Sequence, residues 1–456
     1  MDVERVFGVA QVPATLGLTL YVAGYGLGPI IWSPMSEIPQ IGRLWVYIGT
    51  LCKFMLANIM RWFANSVCVV VFVLFQLPTL FAVNFGMLLA FRFLTGFFGS
   101  PALATGGATI ADMYRPQKQA YGLAVWGIGA VCGPVLGPLV GGFAVEAKGW
   151  TWTIWEIMWL SGFCLIFLFF CLPETSATNI LHRRTKRLRK LTGDERLTCE
   201  PDMMSEKMGP KDVSLNHCFV VLTVLISVQV IMMSLVKPIT LNFTEPIVFL
   251  LNLYIALIYG LLYIWFESFP LVFTGIYGFS LGIEGVAFLG ILVGTLIGAA
   301  VLFSWLYFYQ EKQFDDNGNI APEKRLIPAM VGCFFVPICL FWFGWSSRSD
   351  VHWIVPIIGT SFFGIAAFTL FNAVLPYLSD AYPDSVASVL AGNDLMRSSF
   401  GAGFPLFASA MYKKLGINWA SSLLAFLGIA FIPIPFVLYK YGKQIRNKSK
   451  LARKDI

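Results

Sequence analysis

Arg92 is flanked by Ala90, Phe91, Phe93 and Leu94 within the apolar stretch from Phe85 to Ile110. A guanidinium in such a setting must face a cavity or a partner, or else snorkel toward an interface. In the first two cases it is a functional candidate by default. A second constellation lies between Tyr254 and Pro270, where Tyr259, Tyr263 and Phe266 share one face at three- and four-residue spacing and Glu267 follows Tyr263 by four. Aromatic faces with a polar tip suit bulky amphipathic substrates, cations included, through stacking and cation–π attraction. The alternative is an aromatic belt, because Trp265 to Pro270 falls near the outer end of its span. Asp394 and Arg397, three apart after Asn393, can pair locally or leave a titratable site.

Other chemistries find no support. No nucleophile occurs with a base, no GxxxxGK[ST] loop is present, and His182, His217 and His352 are scattered, so neither an embedded enzyme nor an ATP-driven pump nor a metal site is indicated. The nine cysteines contain no CxxC pair and read as small packing residues. Nothing suggests nucleic-acid binding, and Asp2, Glu4 and Arg5 precede no signal-peptide core.

The elements that must position these residues are membrane spans. Of 456 residues, 57% are hydrophobic and 12% charged, with mean hydropathy +0.73, more apolar surface than a water-soluble core can hide. The expectation is an all-α polytopic membrane protein in the lipid bilayer, with its net charge of +7 in loops and tail.

One span is distinctive. Trp126 to Gly142 carries glycine at 129, 133, 137 and 141, with Gly142 following, and proline at 134 and 138. Gly129, Gly133, Gly137 and Gly141 recur every fourth residue, so on a helix they form a groove that admits another helix's backbone, while Pro134 and Pro138 bend the rod. A glycine-rich turn or a simple dimer groove would be the plainer reading. The pattern resembles the antiporter motif in the fifth helix of the major facilitator superfamily, in its drug:proton antiporter branch.

The resemblance extends over about positions 10 to 450 and is nearest to the fungal fluconazole and benomyl resistance transporters. It rests on four stretches: Gly28 to Glu37, followed by Gly42-Arg43; Arg92 to Asp112; Gly127 to Gly142; and Phe243-Thr244-Glu245-Pro246. It implies the major facilitator fold, two pseudo-symmetric helical bundles. Gly28, Pro34, Glu37, Gly42 and Arg43 correspond to a cytoplasmic gate loop, which leaves the family's first helix missing upstream. The expected count is then about 11 spans, five before a central loop and six after it. The expected units are an incomplete amino-terminal bundle at 1–172, a central cytoplasmic loop at 173–244, a carboxy-terminal six-helix bundle at 245–440 and a basic cytoplasmic tail at 441–456. The family more often has an uncharged residue at the Asp394 position.

Two stretches interrupt the pattern. Leu44 to Ala82 is 39 residues, about twice a span, and removing 52–69 leaves 21. Residues 213–229 form a second apolar insertion. Cys52-Lys53 and Val213-Ser214 can be encoded across a GTAAG donor, and Ala64-Asn65 and Leu222-Thr223 across a CTAAC branch site. Translated introns and family variation both fit. Counting His217 to Leu235 as a span would reverse every later helix and place the six Lys and Arg from Lys443 to Lys454 outside, against the positive-inside tendency. The six basic residues from Arg183 to Lys190 read as a solvated run against the inner leaflet.

The resemblance implies efflux of small lipophilic or cationic xenobiotics by a multi-pass plasma-membrane monomer. It needs no cofactor beyond the proton gradient and works by alternating access around a cavity. Arg92 would serve proton coupling, and Tyr259, Tyr263, Phe266 and Glu267 would line the substrate cavity. The rival readings are a truncated or mis-spliced product without activity and a ligand-sensing receptor on a transporter fold.

Overall fold

The structure is a computed structural model and describes residues 2–37, 67–101, 106–171, 174–194, 196–199, 228–315, 320–449 and 451–454. Every regular element among them is helical. In the amino-terminal part these are α1 (Asp2–Phe7), α2 (Gln11–Glu37), α3 (Val67–Leu80), α4 (Phe85–Gly99), α5 (Gly106–Met113), α6 (Pro116–Lys148), α7 (Thr151–Cys171) and α8 (Ala177–Thr192). There follow α9 (Val228–Thr244), α10 (Pro246–Phe269), α11 (Leu281–Ala287), α12 (Leu289–Trp305), α13 (Ile327–Gly332), α14 (Phe335–Ser346), α15 (Ile354–Ala381), α16 (Val386–Phe431) and α17 (Pro433–Lys448).

Local chemistry sets the boundaries. Asn84 caps α4 by accepting from the Met87 amide at 2.7 Å. Pro116 and Pro246 occupy first helical turns, where their missing N–H costs nothing. Eight described stretches are long and apolar enough to cross a membrane. The last, Ser388–Lys448, runs 61 residues, about 90 Å if straight, and exceeds any bilayer. It breaks at Gly416, whose φ of 75° lies in the left-handed region, giving two arms.

Two antiparallel helix pairs join the halves. Along the first, α2 lies on α16: Lys413 Nζ donates to Gln11 Oε1 at 3.0 Å, Thr19 Oγ1 to the Ala402 carbonyl at 2.9 Å, and Gly26 abuts Ser398. Along the second, α6 lies on α11 and α12. Lys118 Nζ meets Glu311 Oε1 at 2.7 Å at one end, and the Gly282 amide donates to Glu146 Oε1 at 2.9 Å at the other. Lipid is as apolar as leucine, so these pairs depend on close backbone approach more than on hydrophobicity. A Cβ on Gly285 would strike the Pro138 carbonyl, and one on Gly142 would lie 2.5 Å from the Leu281 carbonyl oxygen.

Several expectations are revised. Gly28 lies inside α2, where a Cβ would strike Ser100 and the Phe97 carbonyl of α4, so it is a packing glycine and not part of a loop. Pro34 and Glu37 fall in the last turns of α2, and Gly42 and Arg43 lie outside the described residues. The basic run from Arg183 to Lys190 belongs to α8. The end of the expected central loop is α9, which packs on α10 and α16 because Leu241 and Asn242 are buried there. The expected insertions fall largely at 52–66 and 213–227, outside the described residues. The carboxy-terminal helix continues to Lys448, and Arg446, in the expected basic cytoplasmic tail, is fully buried.

Candidate functional site

Between the two antiparallel pairs lies a cavity of about 700 Å³, within the usual range of small-molecule sites. α2 contributes Tyr21 and Tyr25, four apart on one face, and α4 contributes Arg92. Trp126, Gly133 and Gly137 come from α6. Tyr259, Tyr263 and Phe266 come from α10, Asn372 from α15 and Arg397 from α16. Both halves therefore supply the wall.

The α10 face expected from spacing is present. Tyr259 and Tyr263 have ring centroids 4.9 Å apart and hydroxyls 3.3 Å apart, and Tyr263 meets Phe266 edge-on at 5.4 Å. Glu267 is a correction, because it is not among the lining residues. It stands in the last turn of α10, close to Thr15 and Gln11 of α2. One further residue turns the helix by about 100°, enough to carry the carboxylate off the Phe266 face.

The cation-binding capacity of that face is already in use. Arg397 stacks over Tyr259 at 5.3 Å and Phe371 at 5.9 Å, and its Nη2 pairs with Asp394 at 2.5 Å. The local pairing read from the i, i+3 spacing is thus present, and Gly401, whose Cβ would crowd both tyrosine rings, leaves room for them. Arg92 differs. Among the described residues no carboxylate pairs with it, and Tyr21 is the one ionisable side chain close enough to act on it electrostatically.

The glycine groove divides into two parts. Among the described residues nothing lies within 4 Å of a Cβ placed on Gly129, Gly133 or Gly137, and only Thr153 comes that close to Gly141. Gly142 and the Pro138 carbonyl make the close approach to α11, and Gly133, Pro134, Gly137 and Pro138 border the cavity. Of the glycines on the four-residue step, Gly133 and Gly137 open toward the cavity and Gly141 faces Thr153 of α7. The helix that grips α6 meets it one residue round. Tyr21, Tyr25 and Trp126 were missed by sequence reasoning. The four-residue spacing of Tyr21 and Tyr25 between Gly17 and Gly28 was the available signal.

The family model described as Major Facilitator Superfamily matches residues 2–405. The chain belongs to that superfamily. It is 42% identical over 457 residues to "Transporter mfs1" of Schizosaccharomyces pombe, covering 99% of this chain and 80% of the relative. It is 42% identical over 452 residues to "Fluconazole resistance protein 1" of Saccharomyces cerevisiae, covering 98% and 76%. Among solved structures, the human organic anion transporter MFSD10 (TETRAN) shares the fold with TM-score 0.59 at 15% identity, over 92% of this chain and 83% of that one. The superfamily's members are transporters, so this multi-pass membrane protein is not an enzyme.

Proposed function

We propose that the chain exports small lipophilic compounds from the cytoplasm in exchange for entering protons, acting as a plasma-membrane monomer without a cofactor. The observation that carries this reading is the aromatic cavity walled by both halves and bounded by the two antiparallel pairs. The kinship with a fluconazole resistance protein supports drugs as substrates. Alternating access follows if the bundles at 1–172 and 245–440 rock about the cavity, linked by the stretch that precedes α9, so that one end of each pair separates while the other holds. The Lys118–Glu311 bridge and the Glu146–Gly282 contact then close opposite ends of the same pair. Arg92 couples the proton by its field, since a guanidinium keeps its own proton. Gly142 of α6 and Gly285 of α11 let the two helices press close enough to limit proton leak.

Fluconazole accumulation in cells expressing the full chain tests the reading. Accumulation should fall relative to control cells and recover when an uncoupler collapses the proton gradient. Equal accumulation with and without the chain would sink it, and ligand binding to the purified protein would then separate a receptor from an inactive product.

A further inference from the structure

We propose that the cavity favours lipophilic weak acids in their ionised form over neutral compounds of the same size, with Arg92 as the seat of the carboxylate. This rests on the reading of the cavity as the drug site and narrows its substrate class. Arg92 and Arg397 are the charged residues lining the cavity, and no Asp or Glu lines it among the described residues. Arg397 has its counter-ion in Asp394 and its aromatic partner in Tyr259. Arg92 has neither, although a cation surrounded by apolar segments demands an anion or water.

The sequence around Arg92 offers it little. Between Arg5 and Asp112 the one carboxylate is Glu37, and residues 38–66 and 102–105, outside the described set, contain no Asp or Glu. Glu37 lies sixteen residues beyond Tyr21 on the same helix, about 24 Å along its axis. A substrate carboxylate can supply the missing partner, and guanidinium matches it with two parallel hydrogen bonds. Tyr21 beside Arg92 offers a further donor, and Tyr263, Phe266 and Trp126 offer ring faces to the apolar body. A cationic substrate would meet a fixed positive charge, and the Tyr259 face is already taken by Arg397.

The chemistry of weak acids fits an exporter of this kind. Such compounds cross a bilayer in neutral form from an acidic exterior, ionise in a near-neutral cytoplasm and are trapped there as anions. A cavity holding an unpaired guanidinium takes the trapped form, and an inside-negative potential favours its exit.

Three probes of one size separate the possibilities: 1-naphthaleneacetate, 1-naphthaleneacetamide and 1-naphthylethylammonium. Binding to the full-length purified protein is read by quenching of tryptophan emission. The carboxylate should bind at least tenfold more tightly than the amide, with the amine weakest. Arg92→Gln should bring the carboxylate-to-amide ratio close to one, and Arg92→Lys should restore part of it, in protein of unchanged thermal stability. A ratio near one in the unsubstituted protein, an amine that binds best, or a preference that survives Arg92→Gln would overturn the inference while leaving the cavity as a drug site. Failure of all three probes to bind would overturn both readings.

Discussion

The rim of the carboxy-terminal half and the cavity each hold an arginine, and the two are treated in opposite ways. At the rim, Arg446 is fully buried and donates from Nε and Nη2 to the two Glu323 oxygens at 2.8 and 3.0 Å, and from Nη1 to the Arg453 carbonyl at 2.7 Å. Around it, Arg325 pairs with Asp380 at 2.9 Å, and Glu245 accepts from Tyr382 at 3.0 Å and from Ser449 at 2.9 Å. In the cavity, Arg92 faces an open volume with no described carboxylate partner. A charge whose counter-ion is built in fastens helices together. One whose counter-ion is left out retains the capacity to bind something that comes and goes.

Removing each charge separates these roles. Arg446→Ala leaves Glu323 buried without its partner, an expected loss of about 3–5 kcal/mol. A large fall in the unfolding temperature of the detergent-purified protein should show it, with substantial recovery in Arg446→Met combined with Glu323→Leu. Arg92→Ala should act the other way round, abolishing proton-dependent efflux with the amount of protein at the cell surface unchanged. If Arg446→Ala were as stable as the parent, or Arg92→Ala failed to reach the surface, the contrast between the two arginines would disappear.

How much of this was legible follows from what each signal depends on. Helical spans and the Tyr259, Tyr263 and Phe266 face depend on spacing along one chain, and the sequence displays that directly. Glu267 shares the spacing but misses the cavity, because the orientation of α10 about its axis is fixed by helices remote in sequence. The same limit applies to the glycines of α6, since periodicity defines a face without saying what opposes it. Arg446 reads as one more tail cation until the chain brings Glu323 beside it from 123 positions away. The buried run from Asn242 through Asn252 to Asn393, with hydrogen bonds of 2.8 and 2.9 Å, is equally invisible before α9, α10 and α16 are assembled.

The two sides of α6 extend the comparison to smaller effects. Gly142→Leu must push against the Leu281 carbonyl of α11, and overpacking of this kind costs about 1–3 kcal/mol. Gly133→Leu meets open cavity and should fold as well as the parent while losing substrate binding. Proton leak into vesicles should rise in the first variant and not in the second; equal leak in both would mean that the α6–α11 contact does not seal the cavity.

The smallest expected effect is at the Lys118–Glu311 bridge, where the lysine is 56% exposed and the stabilisation expected is only about 0.2–1 kcal/mol. That amount matters little to folding but more to a conformational equilibrium between states of similar energy, which 1 kcal/mol shifts by about fivefold. Glu311→Gln removes the charge attraction at one end of the α6 pair and leaves the Glu146–Gly282 contact at the other. Alternating access therefore predicts readier labelling of a cysteine introduced at Gln119, beside Lys118, with the unfolding temperature almost unchanged. Equal labelling in both proteins would place the closure of this end elsewhere, in which case Tyr121 stacked on Phe303 at 5.9 Å is the contact that holds it.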